Sequence, residues 1–369
     1  MQTAKKYCTA PWRGLHLNFD GKIKTCCAAT SNTESVLGSE LLLEVKKSIQ
    51  QGKLHQEYCR GCIDREDTGG SSERDWHNNI SPDFDVTKAD IDEHFPALID
   101  IRWTNLCNLA CTYCSDFFSS KWADIKGQSV SNNINNKYTE VIDYIGTNQQ
   151  HVKEVALVGG EPLLMKENNR LLDILPVDVL VTVITNMTVD FDKFPVPQKL
   201  LERERVGWSM SFDNIGKRFE YVRWGSTWEK LDQNVTTVAH KINTSQHHGG
   251  IHAVYNIYNC TRLCELKQYA LDKDVSILWQ RISGDHLDPT IHNKKIKQLA
   301  MDELLKLKSN FSLSESDLMF VHQQEQSLQT GIGDQTKQFI KHTNNIETKW
   351  HPDQKGQFAK LWPELAAAL

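Results

Sequence analysis

An α/β fold on a parallel sheet, open or curled into a partial barrel, is what this 369-residue sequence predicts. Three observations carry that reading. Six short β-branched or apolar runs recur along the middle of the chain, longer amphipathic stretches lie between them, and three cysteines directly follow the first run. Strand-like runs alternating with helical stretches mark βα units, and βα units pair in parallel.

Residues 1–65 come first. They hold five of the ten cysteines, Cys8, Cys26, Cys27, Cys59 and Cys62, among short apolar stretches such as GLHLNF and one helix-like run, ELLLEVKKSIQQG. A segment this small buries little by itself, so it reads as a metal-stapled module. Residues 66–96 are polar and rich in Gly, Ser, Asn and Asp, and read as a linker. The core spans 97–290 and carries the six runs: ALIDIRW (97–103), VKEVALVG (152–159), VLVTVIT (179–185), RVGWSMSF (205–212), GIHAVYNIY (250–258) and VSILWQRI (275–282). Helices are expected over 137–146, 227–242 and 262–273. In parallel α/β folds ligand chemistry gathers at the C-terminal ends of the strands, so motifs just after these runs are expected to share one mouth. Residues 291–369 read as a helical, polar extension, with MDELLKLKSNF and KLWPELAAAL its most periodic pieces.

Composition narrows the function classes. Lys and Arg number 42 against 47 Asp and Glu, a net charge of −5, and no basic stripe is present, so nucleic acid is not expected as a partner. The start, MQTAKKYCTAPWRG, has no apolar segment behind its lysines, and no run approaches the roughly 18 apolar residues of a membrane span. A cytoplasmic protein is expected. In a reducing cytosol, clustered cysteines serve more often as metal ligands or catalytic thiols than as disulfides.

Cys107, Cys111 and Cys114, spaced C-x3-C-x2-C in CNLACTYC, follow the first strand directly. A loop of that length can give three thiolates to a [4Fe–4S] cluster and leave the fourth iron open to a substrate or cofactor. The alternatives are a zinc site completed by a histidine, or three packed cysteines without metal. Zinc sites more often use paired C-x2-C knuckles, and no histidine lies in the adjacent loop.

The motif resembles that of the radical S-adenosylmethionine (SAM) enzymes, with Tyr113 in the aromatic slot before the last cysteine. The resemblance covers roughly residues 97–290. It implies a partial (βα)6 TIM-like barrel and reductive cleavage of SAM to methionine and a 5′-deoxyadenosyl radical. It also implies a reductant such as flavodoxin or ferredoxin. Gly159, Gly160, Glu161 and Pro162 match the family's glycine-rich segment that meets the methionine ammonium. Glycines let backbone carbonyls approach a ligand closely, and Glu161 is an acceptor. In TNM, Thr185 to Met187, relatives usually read TNG, and Asn186 falls among the SAM contacts. Ser211 and Asp213 match positions near the ribose. Arg223 matches an arginine directed at the SAM carboxylate. Taken alone, Asp213 reads equally as a helix cap and Arg223 as a surface ion pair. The fifth strand lacks the Gly-x-Ile-x-Gly motif of some relatives.

Cys8, Cys26, Cys59 and Cys62 could close a second [4Fe–4S] cluster or bind a structural zinc, and spacing alone does not choose. C-x12-G-x4-C followed by C-x2-C resembles the SPASM and twitch modules of radical SAM enzymes. That resemblance implies one auxiliary [4Fe–4S] cluster, here ahead of the barrel instead of behind it. Cys27 reads as packing. Cys260 and Cys264 read as buried cysteines, with Cys260 a weak candidate for a catalytic thiol. The resulting expectation is a radical SAM enzyme acting on a peptide. The alternatives are a dehydrogenase of a small alcohol or sugar, and a non-catalytic iron–sulfur or zinc protein.

Overall fold

All six runs form strands, each within one to three residues of its expected ends. The computed structural model describes residues 7–30, 37–67, 72–128, 138–282 and 284–369. In chain order the strands are β1 Gly14–Leu17, β2 Ile23–Lys24, β3 Leu98–Ile101, β4 Ala110–Cys111, β5 Glu154–Leu157, β6 Leu180–Thr185, β7 Val206–Ser211, β8 Arg223–Trp224, β9 His248–Tyr255 and β10 Ser276–Arg281. The fold is mixed α/β with a mostly parallel sheet. The chain divides into two units. The first takes the described residues of Met1–Leu106, Val130–Ile184 and Asp192–Gly207, and the second those of Cys107–Ser129, Thr185–Phe191 and Trp208–Leu369.

In the first unit β1 pairs antiparallel with β2 and parallel with β3, β3 pairs parallel with β5, and β5 with β6. Side chains alternate across a strand. Leu15, Leu17, Ile99, Ile101, Val155, Leu157, Val181 and Val183 therefore share one face and are buried. The opposite face mixes Leu98, Ala156 and Leu180 with polar groups. It carries His16 with Nδ1 3.1 Å from Asp100, and Glu154 accepting from Thr182 Oγ1 at 2.7 Å and from Trp76 Nε1 at 3.3 Å.

Trp76 lies on the helix Glu73–Ile80, inside the stretch that composition presents as a linker. Ser72 and Asp75 form a capping box, which satisfies the first free amides of this polar helix. Residues 68–71 of that stretch, and Lys137 of the expected helix 137–146, lie outside the described residues. His94 ties the end of the stretch down, with Nε2 2.8 Å from the Gly14 carbonyl and Nδ1 2.7 Å from the Tyr144 hydroxyl. Nε2 is then the donor and Nδ1 the acceptor of a neutral ring. Burial lowers its pKa to about 4. Below the ordinary histidine value the unfolded chain binds the proton that folded His94 refuses, so stability is lost as pH falls from about 6.5 toward 4. Urea midpoints at pH 7.5 and 5.0 are expected to differ less in His94→Gln than in the parent protein.

In the second unit β9 and β10 are parallel, with Ile251 opposite Ile277, and β7 neighbours β9. The C-terminal helices Lys294–Asn310, Glu315–Thr330 and Thr336–Asn345 pack into this unit's apolar cluster. Tyr221, Tyr258, Phe339, Phe358 and Trp362 are buried together, with ring centroids 5.3 Å apart for Tyr221–Trp362 and 5.4 Å for Tyr258–Phe339. Aromatic side chains of this size dominate a core, so the helical extension is structural material of the second unit. The other expected helices appear as Tyr138–Asn148, Trp228–Thr244 and Leu263–Asp272.

Candidate cluster and cofactor site

In the second unit the three-cysteine loop is fixed through its backbone. Ser120 Oγ accepts from the Cys107 amide at 3.1 Å, and Ser119 Oγ donates to the Leu109 carbonyl at 2.6 Å while also capping the helix Ser120–Ile125. Trp122 Nε1 donates to the Cys111 carbonyl at 2.9 Å. β4 pairs antiparallel with β8, with Cys111 opposite Arg223. The backbone thus settles the loop while its thiols remain free of disulfides.

Burial raises the Cys111 thiol to about 12, opposed by the Arg223 guanidinium and reinforced by Cys114. Cys114 rises to about 11 through burial, with Cys107 adding to it. Thiolate is the form in which such cysteines bind a metal. This donor set fits the three-cysteine side of an iron–sulfur cluster.

Asp213 gathers the surrounding polar groups. One oxygen accepts from the Val254 amide at 2.7 Å, and the other from Tyr113 Oη and from Arg223 Nε at 3.3 Å and Nη2 at 3.1 Å. Arg223 Cζ also lies 5.4 Å from the Tyr113 ring centroid. Both charges are buried, at 1% and 7% exposure. Burial works against the Arg223 charge, but Tyr113 and Asp213 overcome it and raise its pKa. The pair is therefore neither a helix cap nor a surface salt bridge, and Asp213 engages the guanidinium expected to face a SAM carboxylate. Breaking a buried pair from one side costs about 3–5 kcal/mol. Asp213→Ala is expected to destabilise the fold by that order, read as a lowered midpoint in urea.

Asn186 joins the same unit. Its amide nitrogen donates to Asn108 Oδ1 at 2.9 Å and lies 3.9 Å from Cys107 Sγ, and its oxygen accepts from the Thr188 amide and hydroxyl. Met187, at the position where relatives carry Gly, adopts the left-handed conformation with φ 59°. That costs a non-glycine residue about 1–2 kcal/mol. The Met187 side chain is fully buried, and Asn234 Nδ2 donates to the Met187 carbonyl at 2.8 Å and to that of Val189 at 2.7 Å. The glycine-like backbone survives the substitution because packing and Asn234 hold it.

The GGEP segment belongs to the first unit. A Cβ on Gly160 would meet the Leu106 carbonyl oxygen at 2.3 Å, and Gly159 has φ +118° with the Thr104 carbonyl 3.0 Å from where its Cβ would stand. The Glu161 amide donates to the Leu106 carbonyl at 2.7 Å. Both glycines are thus required by close backbone packing on residues 104–106. Glu161 is fully buried, and its carboxylate accepts from the Leu163 amide at 3.1 Å, capping the short turn Pro162–Leu164. Ser211 ends β7 in the second unit.

Also in the first unit, Cys8, Cys26, Cys59 and Cys62 line one cavity, together with Thr25, Tyr58, Arg74 and His77. Among the described residues no three His, Cys, Asp or Glu side chains close on a single metal ion. Four thiols around one cavity fit a four-cysteine metal group, a [4Fe–4S] cluster or a structural zinc. Cys27 is turned toward Asp100, with burial first and then Asp100 and Glu73 raising its thiol to about 12. Cys260 is completely buried in the second unit's apolar cluster, donating to the Ile257 carbonyl at 3.4 Å. Burial raises its pKa. Both features belong to a packed cysteine, which removes the reason to read Cys260 as a catalytic thiol. Cys264 packs against the same cluster.

No family model matches the chain. It is 37% identical over 95 residues to a 7-carboxy-7-deazaguanine synthase from Clostridium acetobutylicum, a match covering 24% of this chain and 37% of that one. Among solved structures, anSMEcpe with bound AdoMet aligns at 16% identity and a TM-score of 0.42, over 59% of this chain and 62% of that one. SuiB from Streptococcus suis bound to S-adenosylmethionine aligns at 17% and 0.41, over 58% and 48%. The chain spans less than two thirds of the length of each of these three. No helix among the described residues is long and apolar enough to cross a membrane. By its cysteine, glycine and strand-end motifs, and in agreement with the synthase match, the chain is similar to the radical SAM enzymes.

Proposed function

We propose that this chain is a radical SAM enzyme that abstracts a substrate hydrogen and modifies a peptide oxidatively. The observation that carries the reading is the backbone-locked C-x3-C-x2-C loop, with Cys111 held opposite a buried arginine. A [4Fe–4S] cluster held by Cys107, Cys111 and Cys114 would, when reduced, supply the electron that splits SAM into methionine and a 5′-deoxyadenosyl radical. The chain's own residues orient and shield. Asp213 holds Tyr113 and Arg223 in place, keeping a positive charge buried beside Cys111. Asn186 fixes Asn108 and Thr188 next to Cys107. Gly159, Gly160, Glu161, Pro162 and Ser211 are carried over from the resemblance as SAM contacts.

The same proposal takes residues 97–290 as a partial (βα)6 barrel and 291–369 as its extension. It takes residues 1–65 as a twitch-like module whose Cys8, Cys26, Cys59 and Cys62 hold an auxiliary [4Fe–4S] cluster, supported by the cavity these four line. The stretch 66–96 connects them and contributes the helix Glu73–Ile80. The peptide substrate, the flavodoxin or ferredoxin reductant and the cytoplasmic location are carried over from the resemblance. The test is anaerobic reconstitution with iron and sulfide, reduction with dithionite in the presence of SAM, and detection of 5′-deoxyadenosine by mass spectrometry. Protein that holds iron yet leaves SAM intact would remove the proposal.

A further inference from the structure

The helix Glu73–Ile80 places Arg74 and His77 one turn apart, and both line the four-cysteine cavity. Residues three apart share a helix face, so the capping box that starts this helix also aims the two side chains together. Arg74 is rigid. Glu66 grips its guanidinium with two bonds, from Nε at 2.9 Å and from Nη2 at 2.6 Å, and Nη1 donates to the Tyr7 carbonyl at 3.0 Å. Glu66 is not among the cavity's lining residues, so the positive end of the pair is the end presented there. His77 is 95% buried, and among the described residues its Nδ1 has no hydrogen-bond partner.

Resting on the auxiliary-cluster reading above, we infer that this helix tunes the group held by Cys8, Cys26, Cys59 and Cys62. Arg74 supplies a fixed positive charge and His77 a hydrogen-bonding ring, and together they make that group easier to reduce. Net charge and hydrogen bonds to sulfur are the levers by which a protein sets an iron–sulfur potential. Four thiolates concentrate negative charge, and adding an electron adds more. A guanidinium fixed beside them favours the reduced state, as an electron acceptor requires. Arg74 and His77 are positioning residues here.

The experiment uses full-length protein carrying Ala at Cys107, Cys111 and Cys114, reconstituted anaerobically with iron and sulfide, so that only the amino-terminal site can hold a cluster. Its midpoint potential is measured by spectroelectrochemistry, with the reduced state followed by EPR. Arg74→Gln and His77→Phe are expected to shift the midpoint to more negative values at unchanged iron content. Arg74→Lys and His77→Gln are expected to restore most of each shift. Equal midpoints in parent, Arg74→Gln and His77→Phe, with iron retained, would overturn the inference while leaving the auxiliary cluster standing. Should Arg74→Gln lose its iron, the His77→Phe and His77→Gln pair decides alone, and identical potentials there would overturn it. Zinc, or no metal, in the background variant would overturn the auxiliary-cluster reading and this inference with it.

Discussion

Replacing Cys107, Cys111 and Cys114 together by Ala is expected to abolish formation of 5′-deoxyadenosine from SAM in reconstituted, dithionite-reduced protein. No other group in the loop can substitute for them. Asn108, Thr112 and Ser115 offer weak neutral oxygens, and soft thiolate ligands are what iron–sulfur clusters select. The loop's backbone bonds run through Ser119, Ser120, Trp122 and Val222, which the substitutions leave in place. Loss of activity with unchanged circular dichroism would therefore report lost ligands, not a lost fold. Residual cleavage near the parent rate would show that the electron enters SAM elsewhere.

Cys59→Ala with Cys62→Ala is expected to act differently. Iron content should fall by about half, SAM cleavage should stay measurable, and turnover of the natural substrate should stop. The two cysteines lie at the start of the helix Arg60–Asp67, on one wall of the first unit's cavity, whereas the C-x3-C-x2-C loop belongs to the second unit. A four-cysteine cluster needs no ligand from that loop. Iron analysis together with 5′-deoxyadenosine and product quantification separates the outcomes. Full iron in the double variant would make the amino-terminal cysteines something other than a cluster site.

The six strands were legible because β-branched runs bounded by turn residues leave few alternatives. The cysteine loop stood out because three cysteines at that spacing directly follow the first core strand. Asp213 and Arg223 were found by their motif positions, but their mutual pairing was not. That depends on β8 lying against β4, and a two-residue strand has no periodicity to read. The helix Glu73–Ile80 escaped because its residues are polar and its capping signal, Ser72 and Asp75, is embedded in a run of Gly and Ser. Arg74 and His77 escaped with it, since nothing in the sequence brings them to cysteines many residues away. The glycines of GGEP were noticed for the right residue type, but the carbonyls of residues 104–106 that exclude a side chain come from another strand end and are invisible to a local reading.

The bonds around the three-cysteine loop also determine how this stretch can diverge. The Cys107 amide, the carbonyls of Leu109 and Cys111 and the Thr112 amide each meet a partner fixed elsewhere in the second unit. Inserting or deleting one residue between Cys107 and Cys114 would put at least one of these groups out of step with its partner. Exchanging the exposed side chains of Leu106, Phe117 or Phe118 disturbs none of these four backbone groups. Descendants of this chain should therefore vary here by substitution at constant length, and a search for its kin that rewards spacing over residue identity will reach further than one that does the reverse.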